Sequence, residues 1–461
     1  MWSNDDSSLY LLKNDDEWRP YQVYQFSDDL GQEETTTTNQ NAMKLLFEEQ
    51  NQLFWVYAWK SADRKYLFVG GFAGETSYVH FIALEDQHSL EQDNDQTQQE
   101  PPTLPLVAEK RDGIYYDVEH HNGHWLLLSN ERDGEKTPNF RLLTSPAVSD
   151  SADMWVDFKD ENDEVLFDGS EGDRSFTWFN SFSNHIALEG REGGIPRVWV
   201  LDMKKNFDLL ESMADERSSD PSAITLSVAK TTLVTFEEEA HDVSVSGNPL
   251  YDIDRVRVQY SSLTTPRQTR SVDMNDPTSF IVIDEQFVPN YDKSLYTSHR
   301  AFVNGRDGTQ IPYSLVFRSD LVGSIMDDDM PNDHPVLLYG YGSYGSSIDH
   351  DFSASLLPLL DRGVVFVQAN VRGGGEMGRE WYESAKYLNK KRTFEDFVDV
   401  ARYLVGQDGG DGKGKITSPE KLAIRGASAG GLLVGASMNE APEVSSPNIC
   451  VLCSVSCIIP F

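Results

Sequence analysis

Two hydrophobic patterns divide this chain. As far as about residue 290, short apolar and aromatic runs alternate with polar turns, at 2–12, 54–69, 115–129, 176–189 and 224–236. Runs of this length, broken at turns such as Ser61-Ala62-Asp63-Arg64 and Asn122-Gly123, predict antiparallel strands. They recur every 50 to 60 residues or so, which fits propeller blades better than the two faces of a sandwich. A last β segment is expected at 255–263 and 280–283.

Past residue 291 the pattern changes. Runs that are apolar on both faces, at 336–339, 364–369 and 422–424, alternate with helical periodicity at 354–360 and 394–405. Strands buried on both sides and separated by helices predict a parallel sheet with helices on its two faces. The expected order is therefore a β-propeller domain over 1–290 and an α/β domain over 291–461.

Polar stretches at 27–42, 85–103, 148–163, 212–222 and 320–335 are rich in Asp, Glu, Gln, Ser and Thr. They lack the apolar residues that repay ordering, so they are expected as loops. They also feed the composition: 75 Asp+Glu against 39 Lys+Arg give a formal net charge of -36 over 461 residues. Such a surplus repels nucleic acid and anionic membrane. The first residues have no basic segment followed by an apolar core, and no apolar run reaches the length of a membrane-spanning helix, so a cytoplasmic location is expected. Cys450, Cys453 and Cys457 fall in a stretch that reads as a buried strand; no metal site is expected there.

The chemistry concentrates at Gly426-Ala427-Ser428-Ala429-Gly430. A serine flanked by small residues, with a short strand at 421–424 before it and a helix start after it, fits a nucleophile elbow. Serine needs a neighbouring base to take its proton, and no His or Asp follows Ser428. The acidic residues after it are Glu440 and Glu443, too near along the next helix to serve, and the last histidine is His350. A glycine-rich segment, Tyr339-Gly340-Tyr341-Gly342-Ser343-Tyr344-Gly345, follows the 336–339 strand. It reads either as a turn with packed aromatics or as a place where a tyrosine hydroxyl donates to a developing oxyanion. A second cluster, Arg372-Gly373-Gly374-Gly375-Glu376-Met377-Gly378, reads as a structural turn with Arg372 and Glu376 as a local ion pair.

In this order and at these separations, YGYGSYG, VRGGGEMGREWY, the helix after KRTFEDF and RGASAGGLL resemble the catalytic domain of the prolyl oligopeptidase family of serine peptidases. The two glycine-rich motifs are more similar to the oligopeptidase B branch than to prolyl oligopeptidase proper. The likeness continues through the front half at 16–20, 75–77, 129–130 and 260–266. It implies a seven-bladed propeller that filters substrates by size and an α/β-hydrolase domain that cuts short peptides without a cofactor. It makes Ser428 the nucleophile and makes the Tyr341 hydroxyl and the Ala429 backbone N–H the oxyanion donors. Cleavage after a basic residue, or after proline, is the implied preference.

The resemblance also implies parts that these residues do not supply: the acid and histidine of the triad, and some of the blades. The expectation is of both domains incomplete and of a chain that is inactive as written. A competing expectation is a non-catalytic propeller that binds a partner. A lipase or esterase leaves the β-rich front half without a purpose. Oligomeric state is not legible.

Overall fold

In the computed structural model, residues 1–27, 43–84, 101–108, 110–132, 134–147, 155–159, 165–166, 169, 174–203, 230–323, 333–407, 415–444 and 450–451 are described. Most of the acidic stretches, together with Cys453 and Cys457, lie outside these residues.

Five small antiparallel sheets come first. They are β1 (Ser8–Asn14), β2 (Pro20–Ser27) and β3 (Met43–Glu48); then β4 (Trp55–Lys60), β5 (Tyr66–Ala73) and β6 (Thr76–Ala83). The third holds β7 (Tyr116–His121), β8 (His124–Arg132), β9 (Glu135–Pro146) and β10 (Val156–Asp157). The fourth holds β11 (Ser175–Ser181), β12 (His185–Glu192), β13 (Ile195–Asp202) and β14 (Lys230–Leu233). The fifth holds β15 (His241–Val245), β16 (Arg255–Ser262), β17 (Gln268–Asp273) and β18 (Phe280–Glu285). Isolated bridges complete the first two: Trp2 pairs with Leu9 beside β1, and Leu106 with His80 beside β6. The sequence pattern starts four of these sheets within a few residues of the observed place. The run at 224–236 is different: its described part, β14, is the last strand of the fourth sheet.

Strand alternation explains how the sheets stack. In β8, Leu126 and Leu128 enter a cluster with Phe176, Ile186 and Leu188 of the fourth sheet. Their neighbours Trp125 and Leu127 point the other way, to Phe68, Val79 and Phe81 of the second. β12 repeats the arrangement, with Ala187 joining Val256, Val258 and Val272 of the fifth sheet. Since consecutive side chains leave opposite faces of a strand, a central strand apolar at every position packs on both neighbours. This is the packing of propeller blades.

A six-stranded sheet follows, in the order β19 (Tyr296–Asn304), β20 (Gln310–Arg318), β22 (Val365–Ala369), β21 (Val336–Gly340), β23 (Leu422–Arg425), β24 (Cys450–Val451). The sheet is mixed, not wholly parallel as the pattern predicts. β21, β22, β23 and β24 pair parallel, while β19 and β20 form an antiparallel hairpin and β20 runs antiparallel to β22. A hairpin needs no crossover helix, so the helix-and-strand alternation gives no sign of it. Among the described residues there are five α-helices: α1 (Ser319–Val322), α2 (Leu357–Leu360), α3 (Arg379–Glu383), α4 (Lys391–Val405) and α5 (Ala429–Glu440). One face of the sheet packs Val336, Leu338, Val365 and Val367 on Phe397 and Leu404 of α4 and Leu433 of α5. The other packs Leu337 and Phe366 on Leu356, Leu360 and Leu263, the last from the turn between β16 and β17.

Candidate active site

The elbow is built where β23 ends. β23 lies in parallel register with β21, Leu338 opposite Ile424, so the chain leaves the carboxyl edge of the sheet at Gly426. Gly426 has no substitute: a Cβ there would overlap the Gly430 carbonyl oxygen and the carbon behind it. Ser428 takes φ 53° and ψ -120°, a conformation rarely adopted by a residue with a side chain. It is solvent-exposed and caps α5 without using its hydroxyl as a cap. The turn closes through Gly430 N–H to Ala427 O at 2.8 Å and Gly431 N–H to Ser428 O at 2.9 Å. Ala429 opens the helix, so its N–H belongs to the first turn, which has no carbonyl within the helix to bond and which carries the positive end of the macrodipole.

Tyr341 follows directly on β21 and lies against this turn. A Cβ on Gly430 would sit 2.9 Å from Gly340 O and 3.5 Å from Tyr341 Cδ2, so the absence of a side chain at 430 lets the tyrosine segment lie on the helix start. Three groups fix that segment. Gly342, at φ 63°, is wedged between Val371 Cγ2 and Thr393 Cγ2, where a Cβ would be in contact at 2.6 and 2.5 Å. Gly345 N–H donates to Gly373 O at 3.1 Å. The Lys390 ammonium donates to Gly342 O and, at 2.8 Å, to Ser343 Oγ. Burial pushes that ammonium down to about 8.

The second glycine cluster is a structural turn, but its charges do not pair with each other. Arg372 turns to Asp396 of α4, Nη2 to Oδ1 at 2.5 Å, and to Asp307 at 2.7 Å. Glu376 is buried and accepts from Ile348 N–H at 2.9 Å and from Asn370 Nδ2 at 3.2 Å. Adjacent residues choose partners by where their side chains leave the loop, which spacing does not encode. Glu440 and Glu443 likewise go to Arg306 and Arg402, at 2.7 and 3.0 Å. His350 is buried, with Nε2 2.8 Å from Ser314 Oγ of β20.

Sequence reasoning misses an acidic group between the two halves. Asp349 and Asp351, on the loop that begins with Tyr341, act on Asp242 of β15, whose carboxyl rises to about 7 through burial and then through these two charges. Arg191 of β12 neutralises part of the set by pairing with Asp349 at 2.5 Å. The Asp-x-Asp spacing is the signal in the sequence that marks this group.

Residues 1–284 match the N-terminal β-propeller domain of prolyl oligopeptidase, and residues 350–446 match the prolyl oligopeptidase family domain. The chain belongs to the prolyl oligopeptidase family. It is 32% identical over 443 residues to Protease 2 of Moraxella lacunata, covering 96% of this chain and 53% of that one. It is 31% identical to Dipeptidyl aminopeptidase BI of Pseudoxanthomonas mexicana, covering 96% and 52%. Among solved structures, oligopeptidase B from Leishmania major superposes with a TM-score of 0.71 at 31% identity, over 96% of this chain and 54% of that one. The chain spans about half the length of the curated relatives it matches. As a member of this family of serine peptidases, it joins a β-propeller to an α/β-hydrolase sheet whose described strands are mixed in direction.

Proposed function

We propose that this chain carries the nucleophile half of a serine oligopeptidase site that cuts short peptides, with a preference for basic residues. In this reading the Ser428 Oγ attacks the scissile carbonyl, and the oxyanion is met by the Ala429 N–H and the Tyr341 hydroxyl. Collapse of the adduct breaks the C–N bond and releases the amine half of the peptide with the proton given up by the serine, and water then hydrolyses the serine ester. The observation that carries the proposal is the backbone of Ser428: a strained, exposed serine at the start of a 12-residue helix, with Tyr341 lying on the first turn. The basic preference rests on the net charge of -36 and on the acidic residues Asp349 and Asp351 between the two halves, of which Asp349 is already paired with Arg191. The names of the relatives support the peptidase reading alone: one is called a protease and one an oligopeptidase B.

No histidine follows Ser428 within these 461 residues, and the hydroxyl has no imidazole there to take its proton. On its own, this stretch is therefore proposed to be inactive or nearly so, since loss of a triad costs on the order of a millionfold in turnover. The test is a fluorophosphonate probe and a fluorogenic peptidyl-arginine substrate, applied to the 461-residue polypeptide and to any longer product of the same gene. Labelling at Ser428 and turnover confined to the longer product are expected. Normal turnover by the 461-residue polypeptide overturns the inactivity, and labelling at a different serine in the longer product overturns the site.

A further inference from the structure

Two buried oxygens beside the site lack a partner among the described residues: Glu376 Oε2 and Asn370 Oδ1. Both side chains are 1% exposed. They are already joined, because Asn370 Nδ2 donates to Glu376 Oε1 at 3.2 Å. The amide cannot be turned round: its other hydrogen goes to Ile348 O at 3.1 Å, and a carbonyl facing that oxygen would find two acceptors opposed. Glu376 Oε1 takes a second donor, Ile348 N–H at 2.9 Å. Oε1 thus accepts twice, the carboxyl's remaining donor is its own backbone N–H, and Oε2 meets no hydrogen-bond partner among the described residues.

That asymmetry is what a protonated acid produces. We infer that Glu376 is kept as the neutral acid with its proton on Oε2, closed onto Asn370 Oδ1 in a two-bond acid–amide clasp that opens when the proton leaves. A carboxylate would instead set two acceptors against each other out of reach of water, a cost on the scale of an unmet buried charge. Burial also pushes the Glu376 carboxyl up to about 7.

Three pieces of chain meet at the clasp: Ile348 on the loop that starts at Tyr341, Asn370 at the end of β22, and the turn that reaches the propeller. From that turn, Glu376 O and Met377 Sδ lie against Gly194 between β12 and β13, and Arg379 N–H donates to Asn139 Oδ1 of β9 at 2.8 Å. The charged group that acts on the Glu376 carboxyl is Arg191 of β12, itself paired with Asp349; Arg300 of β19 bonds Gly193 O and lies with the Glu376 backbone carbonyl around Gly194. His350 lies in the same region, and burial first, then Arg300, His241 and Arg191, holds its imidazole down at about 3, so it stays neutral throughout. Opening frees the loop that starts at Tyr341 from the turn that touches the third and fourth blades. The proposal does not rest on the peptidase reading.

The test compares the 461-residue protein with Glu376→Gln, a neutral isostere that supplies the same donor to Asn370. Asp242 and Glu189, both raised to about 7, and Glu119, raised to about 8, titrate in the same window, so the difference between the two proteins is what counts. Two readouts are taken between about pH 6 and about pH 9: the infrared band of protonated carboxyl, and amide exchange of Ile348 and residues 376–379 corrected for intrinsic rate. The wild type should carry one acid band at the lower pH that Glu376→Gln lacks, and its local exchange should rise about tenfold per pH unit above the midpoint. Glu376→Gln should show no such rise. Equal bands, equal pH slopes, or a Glu376→Gln protein that cannot fold would each overturn the clasp, the last because the isostere preserves both bonds.

Discussion

Single residues carry the local claims, and glycines set the sharpest limits. At Gly426 there is no room for a methyl group in front of the Gly430 carbonyl. Gly426→Ala should therefore cost about 4 kcal/mol or more, because the obstacle is backbone and the start of α5 must move; an unchanged midpoint in chemical denaturation would contradict the elbow geometry. A different residue-scale effect belongs to Glu119. It is half-buried beside Asp63, accepts from Ala62 N–H at 3.0 Å and His120 N–H at 2.7 Å, and loss of hydration raises its carboxyl to about 8. The folded state holds this proton more tightly than the unfolded chain. Its contribution is therefore complete below the ordinary glutamate range and is lost as pH rises through about 8. Glu119→Gln should remove a stability slope of up to about 1.4 kcal/mol per pH unit from that window, read as the difference between two denaturation series. The strained turn at Ser428 is legible because an elbow is a local object, made by five consecutive residues and the strand and helix that flank them.

Elements depend on pairings that no local window contains. Arg372 and Asp396 are far apart in sequence, yet the pair is almost wholly buried, with side chains 8% and 1% exposed. It ties the glycine turn after β22 to α4, and through Gly342 and Thr393 it supports the segment of Tyr341. Arg372→Met should destabilise by about 3–5 kcal/mol, since it leaves the Asp396 carboxylate buried without its counter-charge; a loss under about 1 kcal/mol would show that water reaches the aspartate. Distance along the chain is also why the sequence suggested Glu376 as the partner. The same reasoning applies to β19. It is half-buried along most of its length, has an edge position in the sheet, and mixes His299 and Arg300 with Ala301 and Phe302, so it produces neither a continuous apolar run nor a clean alternation. β21 and β22, buried on both faces, gave the strongest reading in the whole chain.

At the scale of the molecule, the five small sheets are not independent. Leu188 of β12 is fully buried between the third and fourth sheets, and its neighbour Ala187 is buried between the fourth and fifth. Leu188→Ala should cost about 2–5 kcal/mol and should shift the unfolding of the third and fourth sheets together; exchange experiments in which only the fourth sheet loosens would contradict shared packing. Among the described residues, the hydrolase half attaches to the stack at one end. Glu75, Asn139, Gly193 and Leu263, which meet Arg379, Arg300 and the sheet core, all lie at or near the turns between second and third strands. In an up-and-down sheet, the turn from third to fourth strand lies at the opposite end. That is where chain is inserted between β2 and β3, between β6 and the Leu106 bridge, between β9 and β10, and between β13 and β14. Between them these four insertions hold much of the acidic excess. The strand ends that flank these acidic stretches thus share one pole of the stack, across from the docking seam, so the chain leaves and re-enters the described fold there away from the edge that carries Ser428.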